Sequence, residues 1–154
     1  MMRLAKHYWY LLAMFLLFTD QLTKYLVEQT IALGEKVPVN AVFNFVHYQN
    51  KGAAFSFLAS AGGWQRYFFI SLAIGMSIWL ISSIYKSKSQ IESLGYSLVL
   101  GGALGNLSDR LFRGAVVDYL DFYWETYHWP AFNVADIGIV LGVSAMLFIM
   151  VKTR

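Results

Sequence analysis

The stretch Tyr8-Trp9-Tyr10-Leu11-Leu12-Ala13-Met14-Phe15-Leu16-Leu17-Phe18-Thr19-Asp20-Gln21-Leu22-Thr23-Lys24-Tyr25-Leu26-Val27 is a long apolar run broken by one acid and one base. At ~1.5 Å per residue, a helix of this length crosses a hydrocarbon core of ~30 Å. Asp20 then lies ~18 Å along the axis, with Lys24 one turn further on the same face. A charge at that depth costs ~2.5–3.5 kcal/mol on insertion scales, so each ionisable residue there is either neutralised by a partner or kept for function. Taken alone, Asp20 and Lys24 read as a neutralising pair.

Three further apolar runs, 67–85, 94–112 and 133–151, have similar length, which gives four spans in one membrane domain covering 1–154. The expected fold is all-α, with four transmembrane helices, a small extracytoplasmic β-sheet and a short extracytoplasmic helix or loop. The chain is 58% hydrophobic and 14% charged, far from the roughly 25% charged fraction of soluble domains. Arg3 and Lys6 precede the first run, which resembles a signal peptide but carries Asp20 and lacks a small-residue cleavage site. Lys86 and Lys88 lie between the second and third runs, and Lys152 and Arg154 follow the fourth. The bias of Lys and Arg places these points in the cytoplasm, with both termini inside and segments 28–66 and 113–132 outside. The net charge of +3 forms no basic stripe able to track phosphates, so no nucleic-acid partner is expected. With no cysteine, disulfides and thiolate chemistry are excluded.

Within 39–45 the odd positions are apolar, the alternation of a half-buried strand. Gly101 and Gly105 in the third run, and Gly138 and Gly142 in the fourth, permit close helix contact in lipid. Gly102, Asn106, Asp109 and Arg113 recur at helical spacing, a stripe that cannot face lipid. Asp109 and Arg110 read as an ion pair at the interface. Asp118, in Val116-Val117-Asp118, and Asp136, in Phe132-Asn133-Val134-Ala135-Asp136, stand near the same outer interface. Each alone also suits a capping or interfacial acid. If 113–132 folds so that the two meet, repulsion leaves one proton shared between them, the state an aspartyl protease uses. The ionised member takes a proton from water while the protonated member polarises the scissile carbonyl, with no metal or cofactor.

Other chemistries have less support. His7, His47 and His128 lie far apart, and neither H-E-x-x-H nor G-x-S-x-G occurs. Nothing places Ser56 or Ser108 beside a desolvated Lys51 for a Ser–Lys dyad. A proton-coupled transporter or channel subunit needs charges across the whole bilayer, whereas the inner halves of the four runs lack them. A structural scaffold has no need of paired interfacial acids.

Five blocks occur in the order found in the bacterial lipoprotein signal peptidases, or signal peptidase II, and over nearly the whole chain. They are Asp20-Gln21-Leu22-Thr23-Lys24, Asn50-Lys51-Gly52-Ala53-Ala54-Phe55, the 101–110 run, Val116-Val117-Asp118 and Phe132-Asn133-Val134-Ala135-Asp136. The sequence resembles that family. The resemblance implies an aspartic endopeptidase of the bacterial inner membrane that removes the signal peptide of a prolipoprotein just before its diacylglyceryl cysteine. It also implies inhibition by the cyclic peptide globomycin, which occupies the substrate site. By the same resemblance the catalytic pair is Asp118 and Asp136. Asn50, Gly52, Asn106, Arg110, Asn133 and Ala135 line or shape the site, and Asp20 and Lys24 are its supporting pair. A two-chain lipid substrate approaches sideways from the membrane. Tyr119, Phe122, Tyr123, Trp124, Tyr127, Trp129 and Phe132 then suit an interfacial belt. Segment 121–132 reads either as a movable cover over the site, with 50–57 as its opposing wall, or as a fixed amphipathic anchor at the interface.

Overall fold

The computed structural model describes residues 5–52 and 62–152. Four helices, α1 (Lys6–Thr30), α2 (Trp64–Lys86), α3 (Gln90–Phe112) and α4 (Val134–Lys152), accompany four strands, β1 (Lys36–Asn40), β2 (Phe43–Asn50), β3 (Val116–Trp124) and β4 (Tyr127–His128). The helices fall on the four apolar runs. Among them, α2 and α4 are long and apolar enough to cross a membrane by composition alone. Helix α3 packs against the other three. It begins where Ser89 caps it by accepting the Glu92 N–H at 3.3 Å.

The distribution of side chains is inverted relative to a protein in water. In α4 the buried residues are the small Ala135, Gly138 and Gly142, while Val140, Leu147, Phe148 and Val151 each expose more than half their surface. Asp20, Lys24 and Asp109 are wholly buried. An apolar exterior around a polar interior suits a bundle whose solvent is lipid, where close contact of small residues replaces the hydrophobic effect. The expected glycine contacts are present: a Cβ on Gly142 would stand 2.6 Å from the Gly95 carbonyl of α3, and one on Gly101 2.6 Å from the Ala13 carbonyl of α1.

The strands form one antiparallel sheet in the order β1-β2-β3-β4. Two expectations are corrected here. The alternating run 39–45 is a hairpin rather than one strand. The chain turns at Ala41-Val42, and Asn40 Oδ1 accepts the Val42 N–H at 2.9 Å, the local bond that lets asparagine start a turn. Segment 113–132 contains no helix and is not a plain loop: most of it is β3 and β4. Strand β3 hides from periodicity because Val116, Val117, Asp118 and Tyr119 are all buried, both faces being covered.

Candidate active site

Register brings the two carboxylates together. Asp118 lies opposite Tyr48 across the β2–β3 ladder, and two residues on, Leu120 bridges to Phe132. The Phe132 carbonyl accepts the N–H groups of Tyr119 and Leu120 at 3.0 and 2.9 Å. The chain returning into α4 is thereby fastened beside Asp118, and the next residue, Asn133, is wholly buried.

Asn133 starts α4 with a reciprocal cap. Its Oδ1 accepts the Asp136 N–H at 3.0 Å, and Asp136 Oδ2 accepts the Asn133 N–H at 3.2 Å. Asp136 is therefore a capping acid, yet its other oxygen turns to Asn106. Asn106 Nδ2 donates to Asp136 Oδ1 at 2.9 Å. Asn133 Nδ2 donates to Asp118 Oδ1 at 2.8 Å, and Asn50 Nδ2 to Asp118 Oδ2 at 3.2 Å. One asparagine thus holds both acids. Among the described residues, neither acid has an ion-pair partner. Burial, then the nearby Asp136 carboxylate, push the Asp118 carboxyl from its ordinary 3.8 up to about 7, against the lowering effect of its two asparagine donors.

Behind this pair lies a second cluster. Lys24 Nζ stands 2.8 Å from Asp20 Oδ2, 2.8 Å from Asp109 Oδ2 and 3.0 Å from Asn106 Oδ1, which uses its three donors. Asp20 has room because α3 carries Gly105 there: a Cβ would stand 2.5 Å from Asp20 Oδ2. Asp20 Oδ1 accepts the Ala135 N–H at 2.9 Å. Arg110 donates to the Gly52 carbonyl at 2.8 Å, lies over the Phe69 ring at 5.0 Å, and Gly52 N–H bonds Asn50 Oδ1 at 2.9 Å.

All ten residues singled out in the sequence, Asp20, Lys24, Asn50, Gly52, Asn106, Arg110, Asp118, Asn133, Ala135 and Asp136, join one hydrogen-bonded network. Asp109 does not pair with Arg110; its partners are Lys24 and, at 2.9 Å, Arg113. Sequence reasoning placed Asp109 on the polar stripe but missed its part in the network, and it missed Gln21, whose Nε2 reaches Asp109 Oδ1 at 2.9 Å. The helical stripe was the signal for Asp109. Tyr119 leaves the supposed aromatic belt: it is buried, and its hydroxyl donates to Thr23 Oγ1 at 2.7 Å. Phe122, Trp124, Tyr127 and Trp129 remain exposed. Segment 121–132 is the end of β3, strand β4 and the return to α4, tied by Trp129 N–H to the Phe122 carbonyl at 2.8 Å. Of the opposing wall, residues 53–57 lie outside the described residues.

A lipid-adapted helical frame with titratable groups buried at one end defines a membrane enzyme. The family model described as signal peptidase (SPase) II matches residues 12–152. The lipoprotein signal peptidase of Serratia marcescens is 58% identical over 131 residues, 85% of this chain and 76% of that protein. That of Haemophilus influenzae (strain ATCC 51907) is 47% identical over 137 residues, 88% and 80% of the two chains. A solved bacterial membrane enzyme superposes with TM-score 0.83 at 32% identity, covering 92% of this chain and 86% of its own. A second gives 0.80 at 31%, covering 94% and 92%. The chain belongs to the signal peptidase II family and is a membrane-bound protease.

Proposed function

We propose that the chain is an aspartic endopeptidase whose catalytic pair is Asp118 and Asp136. As a signal peptidase II it removes the signal peptide of prolipoproteins. The observation that carries the aspartic reading is Asn133, whose side chain grips Asp118 while its backbone N–H grips Asp136. Neutral amide donors position two carboxylates and leave their shared proton available. In the reaction the ionised acid takes a proton from water, the water oxygen adds to the scissile carbonyl, and the protonated acid donates to the carbonyl oxygen. Collapse of the tetrahedral adduct then passes a proton to the leaving amine and breaks the C–N bond.

The scissile bond lies just before a diacylglyceryl cysteine, which lipid keeps at the interface. Asn50, Gly52, Asn106, Arg110, Asn133 and Ala135 shape the site, and Asp20 and Lys24 support it. All four helices span the inner membrane as a single domain, with both termini cytoplasmic and the sheet outside. The positions of Lys86, Lys88 and Lys152 support that orientation.

Incubation of the purified protein in detergent with a diacylglyceryl-modified prolipoprotein tests the reading. Cleavage is expected just before the modified cysteine and is expected to stop with globomycin. Cleavage of the unmodified precursor at the same rate contradicts the substrate assignment, and a chelator-sensitive activity contradicts the aspartic one. Reporter fusions after Glu35 and Glu125 are expected outside, and a cytoplasmic signal from either removes the four-span topology.

A further inference from the structure

The residue immediately before each acid of the pair gives its N–H to the buried cluster behind the site. Val117 N–H donates to Asp109 Oδ2 at 3.0 Å, and Ala135 N–H donates to Asp20 Oδ1 at 2.9 Å. Lys24 Nζ stands 2.8 Å from each of these carboxylates. The path Val117–Asp109–Lys24–Asp20–Ala135 is thus a brace from the strand that carries Asp118 to the helix that carries Asp136. Asp109 is wholly buried and accepts four bonds, the other two coming from Gln21 and Arg113, each at 2.9 Å. So saturated a carboxylate cannot rotate without breaking a charge-assisted bond. The backbone of Val117 is held on both of its polar groups, since its carbonyl accepts Asn133 Nδ2 at 3.2 Å.

We propose that Asp109 is a positioning residue for the peptidase reaction: through the Val117 N–H it holds Asp118, and through Lys24 it couples that hold to the one Asp20 has beside Asp136. The inference rests on the reading of Asp118 and Asp136 as the catalytic pair. One ammonium then sets the separation of two carboxylates that repel each other and, among the described residues, have only amide donors of their own. Displacement of a reacting group by ~1 Å costs ~10²-fold in rate, so such a brace acts on turnover rather than on substrate affinity.

Asp109 also balances Lys24 electrostatically. The charged and titratable groups facing Asp118 are Lys24 of α1, Arg110 of α3, Asp136 of α4 and, across the ladder from β2, Tyr48. Removal of the Asp109 charge makes the field at Asp118 more positive and favours its ionised form. The alkaline limb of the pH–rate profile, where the shared proton is lost, then moves to lower pH.

The test is kcat and KM with a diacylglyceryl-modified prolipoprotein, and the pH profile, for Asp109→Ala and Asp109→Asn, with Asp118→Asn as control. Asp109→Ala is expected to lower kcat ~100-fold with KM within about twofold. Asp109→Asn keeps an acceptor for Val117 and is expected to recover at least ~10-fold of that loss, with its alkaline limb displaced downward. A kcat for Asp109→Ala within about threefold of the parent overturns the proposal, as does a loss confined to KM or an asparagine variant as slow as the alanine one. If Asp109→Ala is not recovered folded, Asp109→Leu, which is close in size and also lacks the acceptor for the Val117 N–H, takes its place under the same kcat and KM criteria. An active Asp118→Asn enzyme instead removes the catalytic pair on which the inference rests, so the two failures are distinguishable.

Discussion

Two pairs of carboxylates lie at the same end of the bundle, joined through Asn106, and they are held by opposite means. Asp20 and Asp109 enclose the Lys24 ammonium at 2.8 Å on either side. Among the described residues, Asp118 and Asp136 receive only neutral donors, the Asn50, Asn106 and Asn133 side chains and one backbone N–H. An ammonium between two acids fixes their place through charge-assisted bonds, and removing it leaves a buried carboxylate without its partner. An amide fixes place and leaves charge to the solvent and to the other acid. The inner cluster is therefore held by charge-assisted bonds, and the pair beside it is held by amides that leave it free to exchange a proton, as the proposed hydrolysis requires.

That contrast breaks most readily at the outer pair. Asp118→Asn and Asp136→Asn each preserve side-chain size and remove the group that takes or gives a proton, so each is expected to lower the cleavage rate by at least ~10²-fold. If the two act as a unit, the double variant loses little more than either single one. Single-turnover cleavage of a modified prolipoprotein measures both. Activity of either single variant within about tenfold of the parent would show that the amide-held pair is not where bonds are broken.

The inner cluster is expected to fail as structure. Lys24→Met leaves the wholly buried Asp20 without a cation and Asp109 with Arg113 alone, at a cost of roughly 3–5 kcal/mol in folding stability. Adding Asp20→Asn to it removes the stranded charge and is expected to restore part of the loss, a departure from additivity typical of contacting groups. Thermal unfolding in detergent reads both effects. Unchanged melting of Lys24→Met would show that the ion cluster carries no stability and that Lys24 belongs to the chemistry instead.

Much of this contrast was legible in the sequence, and the unread part has a physical cause. The pairing of Asp20 with Lys24 is local, one turn of helix, and the polar stripe of α3 is periodic, so both follow from 3.6 residues per turn. Asn133, Asp136 and Asp118 were selected by type and by resemblance, but their meeting depends on the β3 bridge from Leu120 to Phe132. That bridge was hidden because β3 is covered on both faces and shows no alternation. The Lys24–Asp109 bond spans 85 residues of chain, and nothing local distinguished it from the adjacent Asp109–Arg110 alternative. The hairpin at Ala41-Val42 was missed for lack of glycine or proline, although Asn40 was a turn signal.

The smallest expected effect concerns the stability of the outer pair and carries the opposite sign from that of the inner cluster. Asp118 titrates at about 7 in the folded protein against an ordinary 3.8, raised first by burial and then by Asp136. A carboxyl with a raised folded pKa binds its proton more tightly in the folded state. Its contribution to stability is full below the unfolded value and is lost as pH climbs from about 4 through about 7. Above that range the folded protein holds a buried anion that the unfolded chain hydrates freely. Asp118→Asn abolishes the titration, so the variant is expected to be more stable than the parent at pH ~8, with an advantage that shrinks toward pH ~4. The full interval corresponds to ~4 kcal/mol at 1.36 kcal/mol per unit, but an amide at 118 turns one NH₂ toward the Asn50 or Asn133 donor, and a net gain of about 2 kcal/mol is expected. Parallel thermal melts of the two proteins between pH 4 and 8 measure it. A pH-independent difference would show that Asp118 is not the proton-binding member, and a variant less stable at pH 8 would show that its anion is favoured by the fold, so that amide donors hold charge as well as place.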